Sequence, residues 1–208
     1  MRGRAPTRLV VTEHVDFLSP ERRARYERVR ERLEEAGGVP VEVVHYADVS
    51  RLGNAETLVL SGSSAPWATH DREELARLGE SVARAGRPVL GICAGMQLLT
   101  MWAGGDVRPM RERGAEPERG YLPLEVMDGS DLFAGLGRES VVFQDHEDEV
   151  TALPDGFRGL ARTERCEVQA FSAPERRWWG TQFHPEVWDG EHADGARVLA
   201  NFFALAAE

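Results

Sequence analysis

Cysteine is nearly absent, with Cys93 and Cys166 the only two in 208 residues. Two thiols cannot build the disulfide framework of a small secreted scaffold, and the setting of Cys93 argues for a free thiol. Long hydrophobic runs are missing as well. The apolar run Leu9 to Val11 is too short for the core of a signal peptide. No stretch approaches the roughly 18 apolar residues that a membrane span requires. The expectation is a cytoplasmic protein that crosses no membrane. Positive charge is also in deficit: 25 Lys and Arg stand against 35 Asp and Glu, a formal net charge of -10. Such a surface repels phosphate backbones, which argues against nucleic-acid binding. The basic residues interleave with glutamates, as in 21–35, in the manner of a solvated helix face rather than a basic patch. Internal repeats, low-complexity tracts and clear linkers are absent too.

What is present suits a packed core. Hydrophobic residues make up 42% and charged residues 29%, a balance that buries a core and stays in solution. The length fits one domain, 1–208, better than two. Leu9 to Thr12 reads as a buried strand. Pro20 to Ala36 carries Tyr26, Val29, Leu33 and Ala36 at helical spacing and is closed by Gly37 and Gly38. Strands are expected at 41–46, 57–60 and 88–92, with helices around Leu75 to Ala85 and over 96–103. This alternation predicts an α/β fold with a mainly parallel central sheet flanked by helices. The second half differs. Segments 121–126, 140–143, 159–163, 168–171 and 178–182 read as strands separated by turns, an added antiparallel portion. A last helix is expected over 193–206. Ligands in open α/β sheets gather beyond the carboxyl ends of strands. Three segments fall there: 61–67, 93–97 and 184–186.

The run Gly91-Ile-Cys-Ala-Gly95 joins a strand directly to a helix. Glycines two residues to either side of Cys93 permit a sharp turn and close backbone approach. The pattern matches a nucleophile elbow with cysteine in place of serine. The sulfur would then sit at a helix N-terminus, where the dipole favours negative charge. The neighbouring Ala94 N–H would be free for a developing oxyanion. Cys166 has no such setting and reads as structural.

A nucleophilic thiol needs a base, and the base needs an orienting carboxylate. Gln182-Phe-His-Pro-Glu186 offers both, with His184 just past a strand and Glu186 two residues on. His14, His45, His70 and His192 lack catalytic partners nearby and read as surface or packing residues. Asp145-His-Glu-Asp148 groups three acids with His146, but adjacent side chains seldom all turn to one ion. No metal and no cofactor are expected.

Taken together, these segments resemble the class I, triad-type glutamine amidotransferases, whose fold is flavodoxin-like. Residues 91–99 resemble the cysteine elbow of that family, 182–186 its His-Pro-Glu box, and 60–66 its glycine-rich oxyanion loop. Residues 132–136 and 145–150 resemble the glutamine-binding stretch of the GMP synthetase branch, and Gly195 with Asn201-Phe202 fits the closing helix. The resemblance runs from about Leu9 to the C-terminus. It implies a glutaminase: Cys93 attacks the amide carbon of L-glutamine or a related γ-glutamyl compound, His184 serves as base and then acid, and Glu186 orients it. A γ-glutamyl thioester forms and water resolves it. Ser63 and Ala94 would supply the oxyanion hole. Gly62, Gln97, His146 and Glu147 would line the substrate pocket.

The sequence departs from the family at three places. Gly62 is followed by Ser63 and Ser64 rather than a second glycine. Asp145 replaces a usual serine. The first strand runs into Val-Thr-Glu-His-Val-Asp, 11–16, instead of the usual Asp-Asn-x-x-Ser. No synthetase domain is expected after the His-Pro-Glu helix, so ammonia would pass to a separate synthetase. The alternatives are a free-standing γ-glutamyl hydrolase or transferase, and a non-enzymatic regulatory relative.

Overall fold

The computed structural model describes residues 6–208. The described residues open with β1 (Thr7–Val11) and α1 (Pro20–Gly37). Ser19 caps α1 by accepting from the Arg22 N–H, Pro20 occupies its first turn, and Gly38 ends it in the left-handed region at φ 61°. Then come β2 (Val41–His45), β3 (Thr57–Leu60), α2 (Arg72–Ala85), β4 (Val89–Ile92) and α3 (Ala94–Trp102). β5 (Asp106–Pro109), β6 (Glu118–Val126), β7 (Glu139–His146), β8 (Asp148–Ala152), β9 (Arg158–Arg162), β10 (Ala170–Ala173) and β11 (Trp178–Thr181) precede the closing helix α4 (Asp194–Ala206).

Among the described residues nine strands form one sheet in the order β2-β1-β3-β4-β11-β10-β9-β6-β7. Pairing is parallel from β2 through β4 to β11 and antiparallel from β11 outward to β7. β5 and β8 make a second, two-stranded antiparallel sheet. The mixed architecture therefore matches the expectation from strand–helix alternation followed by hairpins. Successive side chains of a strand face opposite ways. Leu9 and Val59 pack with Val29 and Leu33 of α1 and Val198 and Phe202 of α4. Val10, Leu58 and Leu60 pack with Leu78 and Val82 of α2 and Met96 and Leu99 of α3. Helices thus cover both faces.

The structure extends two expected strands and adds two. β6 starts at Glu118 rather than Tyr121, and β7 runs to His146 rather than Phe143. Gly120 (φ 88°) and Pro123 interrupt the alternation of β6, so its length comes from pairing with β7 rather than from its own pattern. β5 and β8 lack a long apolar alternation and exist through each other.

Candidate active site

β4 enters α3 with no connecting loop. Cys93 is the N-cap of α3 and holds φ 50° and ψ -108°, a left-handed conformation that a non-glycine residue adopts only under constraint. Its N–H donates to the Thr181 carbonyl of β11 at 2.7 Å, and its carbonyl accepts from the Gln97 N–H at 3.1 Å. The flanking glycines are obligatory. A Cβ on Gly91 would lie 2.5 Å from the Gly95 carbonyl, and one on Gly95 would lie 2.3 Å from the Leu60 oxygen. The elbow is thus clamped between β3 and β11. The Ala94 N–H has no partner among the described residues, as expected for the first turn of a helix.

His184 follows β11. Its N–H donates to the Phe143 carbonyl of β7 at 2.8 Å, and the Val187 N–H closes the turn onto its carbonyl at 3.1 Å. Its Nδ1 lies 2.8 Å from Glu186 Oε1, with both side chains about 95% removed from solvent. Nδ1–H donates to the carboxylate, so Nε2 is left to face the cavity that Cys93 also lines. Burial alone would lower the His184 pKa, but the Glu186 charge and hydrogen bond, with the Cys93 side chain nearby, outweigh it and raise the pKa to about 10. Burial alone would raise the Glu186 carboxyl, yet the charge and hydrogen bond of His184 hold it below its ordinary value. Gly62 borders both side chains: a Cβ there would sit 3.0 Å from His184 Cε1 and 3.5 Å from Cys93 Cβ.

The strand ends, the 62–66 loop and the β7–β8 turn surround a cavity of about 650 Å³. Cys93, His184, Glu186, Gly62, Ser63 and Ala94 all line it, as do Gln97, His146 and Glu147. The residues singled out from sequence thus share one cavity, but not all present their side chains alike. Glu147 is largely exposed and pairs with Arg119. His146 is buried against Glu118, 3.1 Å from its Oε2, with its other ring nitrogen on the Asp148 carbonyl at 3.0 Å. Glu118 also accepts from Thr163 Oγ1 and Gln169 Nε2. Cys166 joins this cluster: ligand atoms of Glu118, His146 and Cys166 all lie within 4.8 Å of one another. Burial and nearby carboxylates push the Cys166 thiol far up, so it packs as a neutral group.

A class I glutamine amidotransferase family model matches residues 25–206. The chain belongs to the class I glutamine amidotransferases. Over 172 residues it is 35% identical to a glutamine-hydrolyzing GMP synthase subunit of Thermoplasma acidophilum, covering 82% of each chain. It is 40% identical over 157 residues, 75% of the chain, to the GMP synthase of Symbiobacterium thermophilum, of which it spans 29%. The crystal structure of a GMP synthase subunit from Thermoplasma acidophilum superposes with a TM-score of 0.80 at 31% identity, covering 98% of this chain and 94% of that one.

Within this family member, two buried polar side chains around the site escaped sequence reading. Gln182 is fully buried; its Nε2 lies 3.6 Å from Cys93 Sγ and its Oε1 accepts from Gln97 Nε2 at 3.2 Å. Gln97 also reaches the Asp148 carbonyl at 3.4 Å. Glu13 is the second, buried beneath the 62–66 loop. Gln182 lies inside the His-Pro-Glu segment and offered that single hint. Glu13 offered only its place in the 11–16 departure from the family pattern, at the end of a strand.

Proposed function

We propose that the whole chain, 1–208, acts as one glutaminase domain that releases ammonia from L-glutamine through a Cys93-His184-Glu186 triad. The observation that carries this reading is the buried His184–Glu186 pair facing a strained cysteine elbow in one cavity. Nδ1–H held by Glu186 fixes the tautomer, so Nε2 can exchange a proton with sulfur and then with departing ammonia. Cys93 sulfur attacks the side-chain amide carbon, and the C–N bond breaks as His184 protonates the nitrogen. Water, deprotonated by His184, then cleaves the thioester to glutamate. The N–H groups of Ser63 and Ala94, both without partners among the described residues, suit the developing oxyanion. Gly62, Gln97, His146 and Glu147 border the substrate, His146 and Glu147 through backbone rather than side chain.

The relatives' names favour a separate GMP-forming synthetase as the acceptor of ammonia. A second reading, hydrolysis of a larger γ-glutamyl conjugate, draws on the cavity, whose volume of about 650 Å³ lies in the range that holds drug-sized ligands. Glutamate release from L-glutamine and from a panel of γ-glutamyl amines separates the two. Turnover of glutamine first, lost in Cys93→Ala, supports the glutaminase; preference for the conjugates replaces it with the hydrolase.

A further inference from the structure

Two departures from the family pattern meet at one carboxylate. Glu13, two residues past the end of β1, is 1% exposed. Its Oε1 accepts from Ser63 Oγ at 2.8 Å and from the Ala65 N–H at 2.9 Å. Its Oε2 accepts from the Ser64 N–H at 3.1 Å, Ser64 Oγ at 2.7 Å and Arg22 Nη1 of α1 at 2.6 Å. Burial alone would raise the carboxyl pKa, but the hydrogen bonds from Ser64, Ser63 and Ala65 outweigh it and hold the group ionised. A buried carboxylate stripped of donors is costly, so acid and loop fix each other. The hydroxyls of both serines that follow Gly62 donate to this one residue.

The preceding peptide is fixed from its other side. The Gly62 carbonyl accepts from Tyr26 Oη of α1 at 3.1 Å and from Ser61 Oγ at 2.8 Å. A planar trans peptide points its N–H opposite to its carbonyl. The Ser63 N–H is therefore turned away from α1 and has no protein partner among the described residues.

We propose that Glu13, with Arg22 and Tyr26, is a positioning clamp that presets the Ser63 N–H as an oxyanion donor. The inference rests on Cys93 being the nucleophile. Glu13 acts through the loop and not on the reacting atoms. Presetting matters because a donor already aimed at the developing charge needs no reorganisation in the transition state.

The test compares wild type, Glu13→Gln and Tyr26→Phe by glutamate release and by the rate of iodoacetamide alkylation at Cys93. Alkylation expels iodide and develops no oxyanion, so it reads the thiol and the fold but not the hole. The clamp predicts kcat about tenfold or more lower in Glu13→Gln, KM within about twofold, and unchanged alkylation. Tyr26→Phe should show the same split at smaller amplitude. Wild-type kcat in Glu13→Gln overturns the clamp. So does a parallel loss of kcat and alkylation, which marks Glu13 as a folding residue. If Glu13→Gln does not fold, Ser64→Ala carries the same prediction and the same refutation. A wild type that alkylates at Cys93 yet releases no glutamate sinks the glutaminase reading instead. The clamp is then read by amide exchange at Ser64 and Ala65, which must quicken about tenfold or more in Glu13→Gln; equal rates overturn it.

Discussion

At φ 50°, Cys93 sits where a side chain is held only because its surroundings over-determine it. Cys93 and His184 line one cavity there. On the proposed mechanism, Glu186 acts through the imidazole it bonds. Glu186→Gln keeps the size of the side chain but offers Nδ1–H a weaker acceptor and removes the charge that stabilises imidazolium. Steady-state assays should show kcat down by roughly 10²-fold or more with a small change in KM. Equal kcat in this variant would remove Glu186 from the mechanism. The residue scale also marks what composition and spacing do not reveal. Glu13 and Gln182 bond to groups far away in sequence, and one chain carries no sign of such pairings. His146 was legible as a pocket residue, but not its turn inward to Glu118.

The elements explain why small residues around the site are intolerant. Gly95 lets α3 start against β3, and any Cβ there meets the Leu60 oxygen at 2.3 Å. Gly95→Ala should cost roughly 3 kcal/mol or more and show as an unfolding midpoint lowered by many degrees, or as no folded protein. Gly195 in α4 plays the matching part below the His-Pro-Glu turn, since a Cβ would lie 2.6 Å from the Pro185 oxygen. Gly195→Ala should lower kcat by about tenfold with little change in KM, because the turn that aims His184 must shift. Unaltered kinetics would show that α4 does not support the turn. α4 also fastens another segment: Asn201 Nδ2 donates to the Leu132 and Ala134 carbonyls at 2.9 Å each. The helices and parallel strands were legible because glycine stops, caps and apolar periodicity agree along them. The elbow and the His-Pro-Glu turn were legible for the same local reason. β5, β8 and the ends of β6 and β7 were not, since partner strands define them more than their own residues do.

On the scale of the whole molecule, the parallel half supplies Cys93 and the Ser63 loop, while His184 enters from β11, where the pairing changes direction. The described helices include none long and apolar enough to cross a membrane. The His184–Glu186 pair ties folding to pH, with signs that follow from its shifts. His184, raised from 6.5 to about 10, contributes stability that is fully present below pH 6.5 and is lost as pH rises toward 10. Glu186, lowered from 4.5, contributes stability that is present above pH 4.5 and is lost as pH falls through its folded value. Thermal midpoints of wild type should therefore fall between pH 6.5 and about pH 10 relative to a His184→Gln/Glu186→Gln double variant. Parallel curves would show that the pair is not charged in the folded state.

The central claim is a covalent γ-glutamyl group on Cys93, and the most direct measurement is the mass of the protein quenched in acid during glutamine turnover, with peptide mapping. An adduct of one γ-glutamyl group is expected on the peptide that contains Cys93, absent from Cys93→Ala along with glutamate release. Undiminished glutamate release by Cys93→Ala, or an adduct mapped to Cys166, would contradict it.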